Sequence, residues 1–346
     1  MPRGRILLGH GSGGKLSHEL IQSMFLPQLT NPILQTMDDS AVCSLQDSLK
    51  AWPDKMVGRI ALTTDSYVVR PLFFPGGDIG RLAVCGTVND LSMVGATPLF
   101  LSAAFILEEG LLLSKLRRIV ASLRKAAREA RVNIVTGDTK VVERGSADGL
   151  FITTAGVGIV PKGVNISGSN ARPGDVVILS GSIADHGISV LLERAQMGFV
   201  NTVKSDVSPL NHLVATMLRA SKNLHTLRDP TRGGLATTLV EIAHQSNVAI
   251  RILEEKILVK QDVAAACEIL GYDPLYVANE GKLIAIVAPE DAGKVVDSMR
   301  KINYGQQADV IGEVLPEPKG KVLMKTRVGG TRIVDMLSSE QFPRIC

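Results

Sequence analysis

Acidic side chains in short polar motifs are the residues of this 346-residue sequence best suited to chemistry. They are Asp38 and Asp39 in MDDSA, Asp65 in TTDS, Asn89 and Asp90 in VNDL, and Asp138 with Lys140 in GDTK. Each of them alone is typical of a helix cap or a turn. Converging oxygen donors suit Mg²⁺ carried on a nucleoside triphosphate, so the group as a whole predicts a magnesium and nucleotide site.

The segments around these acids indicate where they lie. Asp65 and Asp138 close two apolar, strand-like runs, so both are expected at the C-terminal ends of strands. Asp90 belongs to residues 79–96, whose apolar positions have helical spacing. A carboxylate on such a helix is costly to bury unless it is paired or binds a metal, which favours a functional role for Asp90.

The motif GHGSGGK at residues 9–15 is a candidate anion-binding loop. It matches G-x-G-x-x-G, and it nearly matches a P-loop that ends at Lys15. A P-loop needs Ser or Thr at the next position, where this chain has Leu16. Glycine amides ahead of a helix N-terminus bind anions in each of these interpretations. The alternative is a flexible glycine-rich turn.

Two further loops with paired glycines, FFPGGDIG at 73–80 and LRDPTRGG at 227–234, precede helices. In the second loop, Asp229, Thr231 and Arg232 are candidates for phosphate or inter-domain contacts, and a structural turn is an equal alternative. Glu280 in ANEGK precedes an apolar strand, a position where a lone glutamate is usually on the surface.

The chain ends in PRIC, so the thiol of Cys346 occupies its C-terminus. The four cysteines show no CxxC spacing and no regular framework, which argues against a disulfide scaffold and a zinc site. A prenylation box needs its cysteine four residues from the end and is excluded. Cys346 is therefore expected to be a free thiol, either inert or reactive.

The elements that must position these residues alternate between strands and helices. Apolar runs predict strands at 59–65, 97–107, 133–140 and 148–160, and amphipathic spacing predicts a helix at 113–132. Residues 161–175 are rich in Pro, Gly, Ser and Asn and mark a domain boundary. We predict an α/β chain of the α+β type with mixed or antiparallel sheets. Its parts are a domain at 1–160, a second at 170–328 and a tail at 329–346 with a short helix at 331–341.

Composition excludes several classes of function. Hydrophobic residues make up 45% and charged residues 21% of the chain, as in soluble globular proteins. The net charge of +4 comes without a dense Lys/Arg run, which argues against nucleic acid as a partner. No apolar stretch reaches membrane-spanning length and the N-terminus is unlike a signal peptide. We therefore expect a cytoplasmic protein with no membrane partner.

A family resemblance extends over essentially the whole chain. In order, GHGSGG, DDSA, TTDS, FFPGGDIG, GTVNDLSMVGA, GDTKVV, DPTRGG, NEG and PRIC resemble the HypE family of hydrogenase maturation factors. The acidic motifs are shared with aminoimidazole ribonucleotide synthetase, selenophosphate synthetase and thiamine-monophosphate kinase, whereas PRIC singles out HypE. The resemblance implies a two-domain synthetase-like fold whose N-terminal sheets pair in a dimeric barrel. It also implies ATP near that barrel and a flexible C-terminal tail.

The resemblance also implies a role in the maturation of NiFe hydrogenase. A carbamoyltransferase, HypF, loads a carbamoyl group on the terminal thiol, ATP-dependent dehydration gives a thiocyanate, and cyanide passes to iron on a HypC and HypD scaffold. Cys346 is then the carrier, and Lys140 and Glu280 orient the carbamoyl group and move its protons. The implied ATP-binding residues are Gly11, Gly13, Gly14, Lys15, Asp65, Asn89, Asp90 and Asp138. The implied Mg²⁺ ligands are Asp38, Asp39, Asp65, Asp90 and Asp138.

Two alternatives of other classes stay open at this point. One is an ATP-dependent synthetase or kinase for a small molecule, with Cys346 as a bystander. The other is a non-enzymatic scaffold whose tail is only a docking peptide.

The length of the C-terminal tail suits a mobile carrier arm. Sixteen residues follow Gly330, and fully extended they reach roughly 50 Å at about 3.3 Å per residue.

Overall fold

Two β-sheets carry the architecture, one in each half of the chain. The computed structural model describes residues 14–25, 27, 32–44, 59–195, 203–337 and 344–346. None of the helices in these ranges combines the length and the apolar character that crossing a bilayer requires.

The first half is built on a five-stranded sheet. Its elements are α1 (Lys15–Leu20), β1 (Ala41–Ser44), β2 (Arg59–Tyr67), β3 (Phe73–Phe74), β4 (Gly77–Asp78), α2 (Ile79–Met93), β5 (Thr97–Glu108), α3 (Leu113–Ala130), β6 (Asn133–Val142) and β7 (Leu150–Val160). The strand order is β1-β2-β7-β5-β6, with all neighbours antiparallel except the parallel pair β5 and β6. Helix α2 packs on β2 and β7 and against α3. It is almost entirely buried, because it is apolar on all sides.

The second half is built on a seven-stranded mixed sheet. Its elements are β8 (Val176–Leu179), α4 (Asp185–Ala195), α5 (Asn211–Ala220), β9 (Leu224–Arg228), α6 (Gly234–Gln245), β10 (Ala249–Leu253), α7 (Gln261–Leu270), β11 (Ile284–Val287), α8 (Pro289–Arg300), β12 (Asp309–Leu315), β13 (Lys321–Lys325) and β14 (Thr331–Val334). The strand order is β14-β13-β10-β12-β8-β11-β9, and only β10 and β13 pair in parallel.

Both faces of the second sheet are covered by helices. Successive side chains of a strand point to opposite faces, and in β11 this alternation separates two buried clusters. Ile284 and Ile286 belong to one cluster together with α6, while Ala285 and Val287 belong to another with α5 and α8. Because β8 and β11 are buried on both faces, their sequences are continuously hydrophobic and do not alternate.

The fold class and the main strands are as predicted, and three local predictions are wrong. Residues 331–334, predicted as the start of a helix, form β14, because the β-branched Thr331, Ile333 and Val334 pair with β13 at the edge of the sheet. Strand β6 continues to Val142, so Asp138 lies inside the strand rather than at its end. Asp65 likewise precedes the end of β2 by two residues. In the second half of the chain, hydrophobic patterns predict the helices and strands other than β9, α7 and β14.

Candidate active site

A polar cavity of about 480 Å³ lies where the two halves of the chain meet. Strand β2 and helix α2 supply its first-half walls, and the loop between β9 and α6 supplies much of the opposite wall. Its polar lining consists of His18, Asp39, Thr63, Thr64, Asp65, Asp90, Arg228, Asp229, Thr231, Arg232, Thr238, Glu241, Glu280 and Cys346.

Asp90 faces the cavity from α2 and is tied to β2. Thr63 Oγ1 donates a hydrogen bond of 2.8 Å to Asp90 Oδ2. The pKa of Asp90 lies well above its usual range, because burial disfavours the charged carboxylate and the negative charges of Asp229 and Asp65 add to this effect. The sequence pattern of one acid on an apolar helix therefore identified a carboxyl group whose charged form is disfavoured by its surroundings.

Asp39 lies near Asp90 in the same cavity, in an ion pair with a buried arginine. Arg228 Nε is 3.2 Å from Asp39 Oδ1, and Arg228 Nη2 donates to Glu241 Oε2 at 2.6 Å. Burial raises the pKa of Asp39 to about 8, although Arg228 opposes this shift. Among the described residues, Asp39 Oδ2 is a buried oxygen without a hydrogen-bond partner. It is therefore an acceptor that a bound cation or donor would satisfy.

The donor set of the cavity fits a magnesium ion that arrives on a nucleotide. Asp39, Asp65, Asp90 and Asp229 line one space, and burial raises the pKa of Asp229 to about 6. Within the described ranges no three acidic, histidine or cysteine side chains form a ready metal site. Mg²⁺ on a triphosphate takes only one or two protein carboxylates and completes its shell with phosphate oxygens and water, so a closed site is not required.

Cys346 reaches this cavity from the far end of the chain. Arg232 Nε donates a hydrogen bond of 3.2 Å to the Cys346 sulfur, and Arg232 Nη2 is 3.8 Å from Asp65 Oδ1. Burial raises the pKa of the Cys346 thiol to about 11, against the opposing effect of Arg232 and with a further rise from Glu280 and Asp65. In this position the sulfur is a thiol at neutral pH.

Glu280 is buried beside the thiol rather than on the surface as its lone position in the sequence suggested. Only 3% of its surface is exposed. Its pKa lies well above the usual range because of burial, with added repulsion from Asp229, Asp65 and Asp206, while Arg232 opposes the shift. A carboxylate with such a raised proton affinity is suited to accept a proton from a bound group.

Asp138 and Lys140 lie apart from this cavity. They pair with each other, with Lys140 Nζ 2.7 Å from Asp138 Oδ2, and both side chains are mostly exposed. The strand register places Asp138 in one row with Ala104, Thr153 and Ser66 on the open face of the sheet. Asp65 is the neighbour of Ser66 and therefore points to the opposite, helix-covered face. A single chain thus does not bring Asp138 and Lys140 to the other acids.

The polar side-chain atoms of Asp38 and Asn89 form hydrogen bonds with other groups of the protein. Asp38 accepts hydrogen bonds from Ser167 Oγ at 2.9 Å and from the Gly168 amide at 2.8 Å. Asn89 is 1% exposed; its Nδ2 donates to the Ser208 carbonyl at 3.1 Å and its Oδ1 accepts from the Leu210 amide at 2.8 Å. Asn89 therefore joins α2 to the second half of the chain beside the cavity.

The glycine-rich loop is described only at its end, and Gly11 and Gly13 lie outside the described residues. The Lys15 amide donates to the Leu337 carbonyl at 3.1 Å. A Cβ on Gly14 would lie 2.9 Å from the same oxygen, so this close approach requires glycine. The start of α1 is therefore held by the segment that follows β14.

Several residues of the site escaped the sequence analysis. His18 Nε2 lies 2.9 Å from Glu241 Oε1, and this hydrogen bond raises the pKa of His18. Neither residue is part of a recognisable motif. Glu241 does share one signal with Asp90, because it is a lone acid in the apolar segment GLATTLVEIAHQ. The same reasoning applied to α6 would have found it.

Comparison with known proteins gives matches over the whole chain. Residues 37–160 match the N-terminal domain of AIR synthase related proteins, and residues 172–325 match their C-terminal domain. The carbamoyl dehydratase HypE of Bradyrhizobium diazoefficiens is 53% identical over 344 residues, which cover 99% of this chain and 96% of the relative.

Two solved structures resemble the fold closely. One is the hydrogenase maturation protein HypE in complex with ATP, with 49% identity, a TM-score of 0.80, and coverage of 99% of this chain and 100% of the other. The second is a complex of HypE with HypF, with 47% identity, a TM-score of 0.85, and coverage of 92% of this chain and 99% of the other.

Proposed function

The chain belongs to the carbamoyl dehydratase HypE family, and from this premise we propose that it uses ATP to dehydrate a carbamoyl group carried on the Cys346 sulfur. The product is a thiocyanate that supplies a cyanide ligand to iron during maturation of NiFe hydrogenase. The observation that carries the proposal is the Cys346 sulfur itself, 3.2 Å from Arg232 Nε in a cavity lined by carboxylates. A bystander cysteine has no reason to occupy that position.

Dehydration requires that the carbamoyl oxygen becomes a leaving group. The oxygen attacks the γ-phosphorus of ATP and displaces ADP, so an O–P bond forms and the old P–O bond breaks. The C–O bond then breaks, and the oxygen departs with phosphate as the C≡N bond forms. The two N–H protons pass to a base and to the phosphate. The products are thiocyanate, ADP and phosphate, with no oxidant or reductant involved.

The carboxylates of the cavity are proposed to hold Mg²⁺ and ATP. The ion would neutralise the triphosphate and orient its γ-phosphate, as is general for phosphoryl transfer. Asp39, Asp65 and Asp90 are the proposed ligands, and Asp229 joins them because it lines the same space. Asp38 is a weaker candidate, since Ser167 and Gly168 already bind it. The amides of Gly11, Gly13 and Gly14, with Lys15, remain the proposed phosphate contacts of the N-terminal segment.

Glu280 and Arg232 are proposed to act on the carbamoyl group. Arg232 contacts the sulfur and also lies near Asp65, so its guanidinium can orient the group and balance the charge that develops on its oxygen. Glu280 has a raised proton affinity and little solvent around it, which suits removal of an N–H proton. Asn89 is proposed to support this arrangement by fixing α2, since its amide binds protein atoms.

The loading of Cys346 is proposed to take place on a partner. With its pKa at about 11, the docked thiol is a poor nucleophile, so carbamoyl transfer requires another environment for the sulfur. A HypE relative of 47% identity was solved together with HypF, which supports HypF as the donor. HypC and HypD are proposed as acceptors of the cyanide, and the cytoplasm as the compartment in which a free thiol persists.

A homodimer through the N-terminal sheets is the proposed assembly. Leu62, Phe100, Ile106 and Ile159 lie on the open face of the first sheet, each between 40% and 46% exposed. Large apolar side chains exposed together on one face of a sheet favour an interface at that face. Asp138 and Lys140 share that face, so a second copy could present them to this chain's site, in keeping with a role of Lys140 in orienting the carbamoyl group.

The mass of the C-terminal peptide tests the function. The protein is carbamoylated on Cys346 by HypF and then incubated with Mg²⁺ and either ATP or ADP. We expect the peptide to lose one water with ATP and to stay unchanged with ADP. Cys346→Ser should never gain the carbamoyl group, although it binds ATP normally. Hydrolysis of ATP without any change in the carbamoylated peptide would contradict the proposal.

A further inference from the structure

The last three residues of the chain occupy a groove that binds a main-chain oxygen of each of them. The Val68 amide donates to Cys346 O at 3.1 Å, and the Arg70 amide donates to Arg344 O at 3.2 Å. Arg194 Nη2 adds a second donor to Arg344 O at 2.8 Å. His186 Nε2 lies 2.9 Å from Ile345 O. The peptide therefore pairs with residues 68–70 on one edge and with side chains of α4 on the other.

Side chains in the same groove distinguish the residues of the peptide. Arg344 forms an ion pair with Asp148, and its Nε donates to the Val68 carbonyl at 3.0 Å. Ile345 is 4% exposed and belongs to the hydrophobic cluster of the first half. Arg344 also has a φ of +57°, which is unfavourable for a residue with a Cβ. These contacts must hold that conformation, so the groove selects one geometry of the peptide.

His186 is the least explained member of this groove, because the dehydration steps do not use it. It is fully buried, packs edge-to-face on Phe74, and has a lowered pKa because of burial. Its partners determine its tautomer. The Ile345 carbonyl can only accept, so Nε2 must carry the proton, and Nδ1 then accepts from the Ser205 hydroxyl at 2.8 Å. A neutral His186 then carries its proton on Nε2 and donates it to Ile345 O.

We propose that His186 is a positioning residue that fixes the register of the C-terminal peptide, and with it the depth to which the Cys346 sulfur enters the cavity. A slip by one residue would move the sulfur by about 3.3 Å, out of hydrogen-bond reach of Arg232. The inference rests on the proposed function, in which the sulfur carries the reacting group. Asp148 assists at the outer end of the groove by holding Arg344.

The rate of alkylation of Cys346 by iodoacetamide, followed on its peptide by mass spectrometry, measures how often the peptide leaves the groove. His186→Leu removes the donor, and His186→Gln keeps an N–H at about the position of Nε2. One hydrogen bond of ordinary strength predicts an alkylation rate about three- to tenfold faster for His186→Leu. His186→Gln should stay close to the wild-type rate. Asp148→Asn should be about two- to fivefold faster, as expected for a partly exposed ion pair.

Cys85 is the internal control, since it is fully buried in α2 and reports opening of the whole fold. Faster alkylation of Cys346 with unchanged Cys85 in His186→Leu, restored in His186→Gln, supports the proposal. If His186→Leu also exposes Cys85, the Asp148→Asn rate decides whether the groove holds the peptide. Equal rates for wild type, His186→Leu and Asp148→Asn, or equal acceleration by Leu and Gln, overturn it. Alkylation needs neither ATP nor a carbamoyl group. This result is therefore independent of whether the protein dehydrates a carbamoyl group on Cys346.

Discussion

At the scale of single residues, Arg232 is a cation that interacts with three groups of the cavity, namely Cys346, Asp65 and Glu280. It donates to the Cys346 sulfur, lies 3.8 Å from Asp65, and opposes the rise in pKa of Glu280. Its side chain is 41% exposed, so the packing of the protein depends little on it. Its removal should therefore affect chemistry more than folding.

We expect Arg232→Gln to slow dehydration of carbamoylated Cys346 by about 10²-fold, the typical effect of losing one donor that stabilises a developing oxyanion. Single-turnover assays on the C-terminal peptide give the rate. Arg251→Gln is the matched control, because Arg251 forms a comparable but exposed ion pair with Glu313 on the second sheet. Equal rates for both variants would contradict the role of Arg232.

The protons held by the carboxylates predict a pH dependence of nucleotide binding. Asp39 has a pKa of about 8, so at neutral pH it is mostly protonated, and Mg²⁺ must displace that proton. Asp229, with a pKa of about 6, is already mostly ionised. The affinity for Mg²⁺ and ATP should therefore rise as the pH increases through about 8, since each proton lost frees a ligand.

Calorimetry from about pH 7 to about pH 9 measures the affinity for Mg²⁺ and ATP. This range is chosen because the phosphates of ATP titrate mainly below it. Asp39→Asn should bind more weakly at the upper end and lose most of the rise. Asp309→Asn, at the start of β12, should behave like the wild type. A wild-type affinity that is constant over this range would show that Asp39 is not a ligand.

At the scale of elements, α2 links the two halves of the chain while it presents Asp90 to the cavity. Asn89→Ala leaves the buried Leu210 amide without its acceptor and should lower the free energy of unfolding by about 1–3 kcal/mol. Denaturant melts measure this loss, and Asn133→Ala at the exposed start of β6 serves as the control. If Asn89→Ala abolished ATP binding at full stability, Asn89 would be a direct ligand instead of a support.

Elements and site were predictable from the sequence to different degrees. The spacing of apolar residues was sufficient for α2, α3 and β7, because each buries one consistent face or is buried throughout. It was not sufficient for β14, where the deciding factor is an available sheet edge at β13. The local sequence around Glu280 is typical of a surface position, and only the family resemblance indicated a role for it, because its burial depends on segments far apart in sequence. The contacts of Cys346 with Arg232 and of Ile345 with His186 are long-range for the same reason.

At the scale of the whole molecule, the open face of the first sheet predicts dimerisation. Phe100→Glu places a charge on that face, where Phe100 is 46% exposed, and should convert a dimer into a monomer. Light scattering measures the mass. Ile269→Glu on α7 is the control, because Ile269 is 70% exposed away from the sheet and should leave the mass unchanged. A wild-type chain that stays monomeric at all concentrations would contradict the assembly.

The central claim is that the carbamoyl group on the Cys346 sulfur is dehydrated in the cavity. The fate of the carbamoyl oxygen tests this claim most directly. Cys346 is carbamoylated with a group whose oxygen is ¹⁸O, and Mg²⁺ and ATP are then added in unlabelled water. The account predicts that the released phosphate contains one ¹⁸O for each thiocyanate formed, because the oxygen leaves only after it has bonded to phosphorus. Unlabelled phosphate together with ¹⁸O in water or in released carbamate would contradict it.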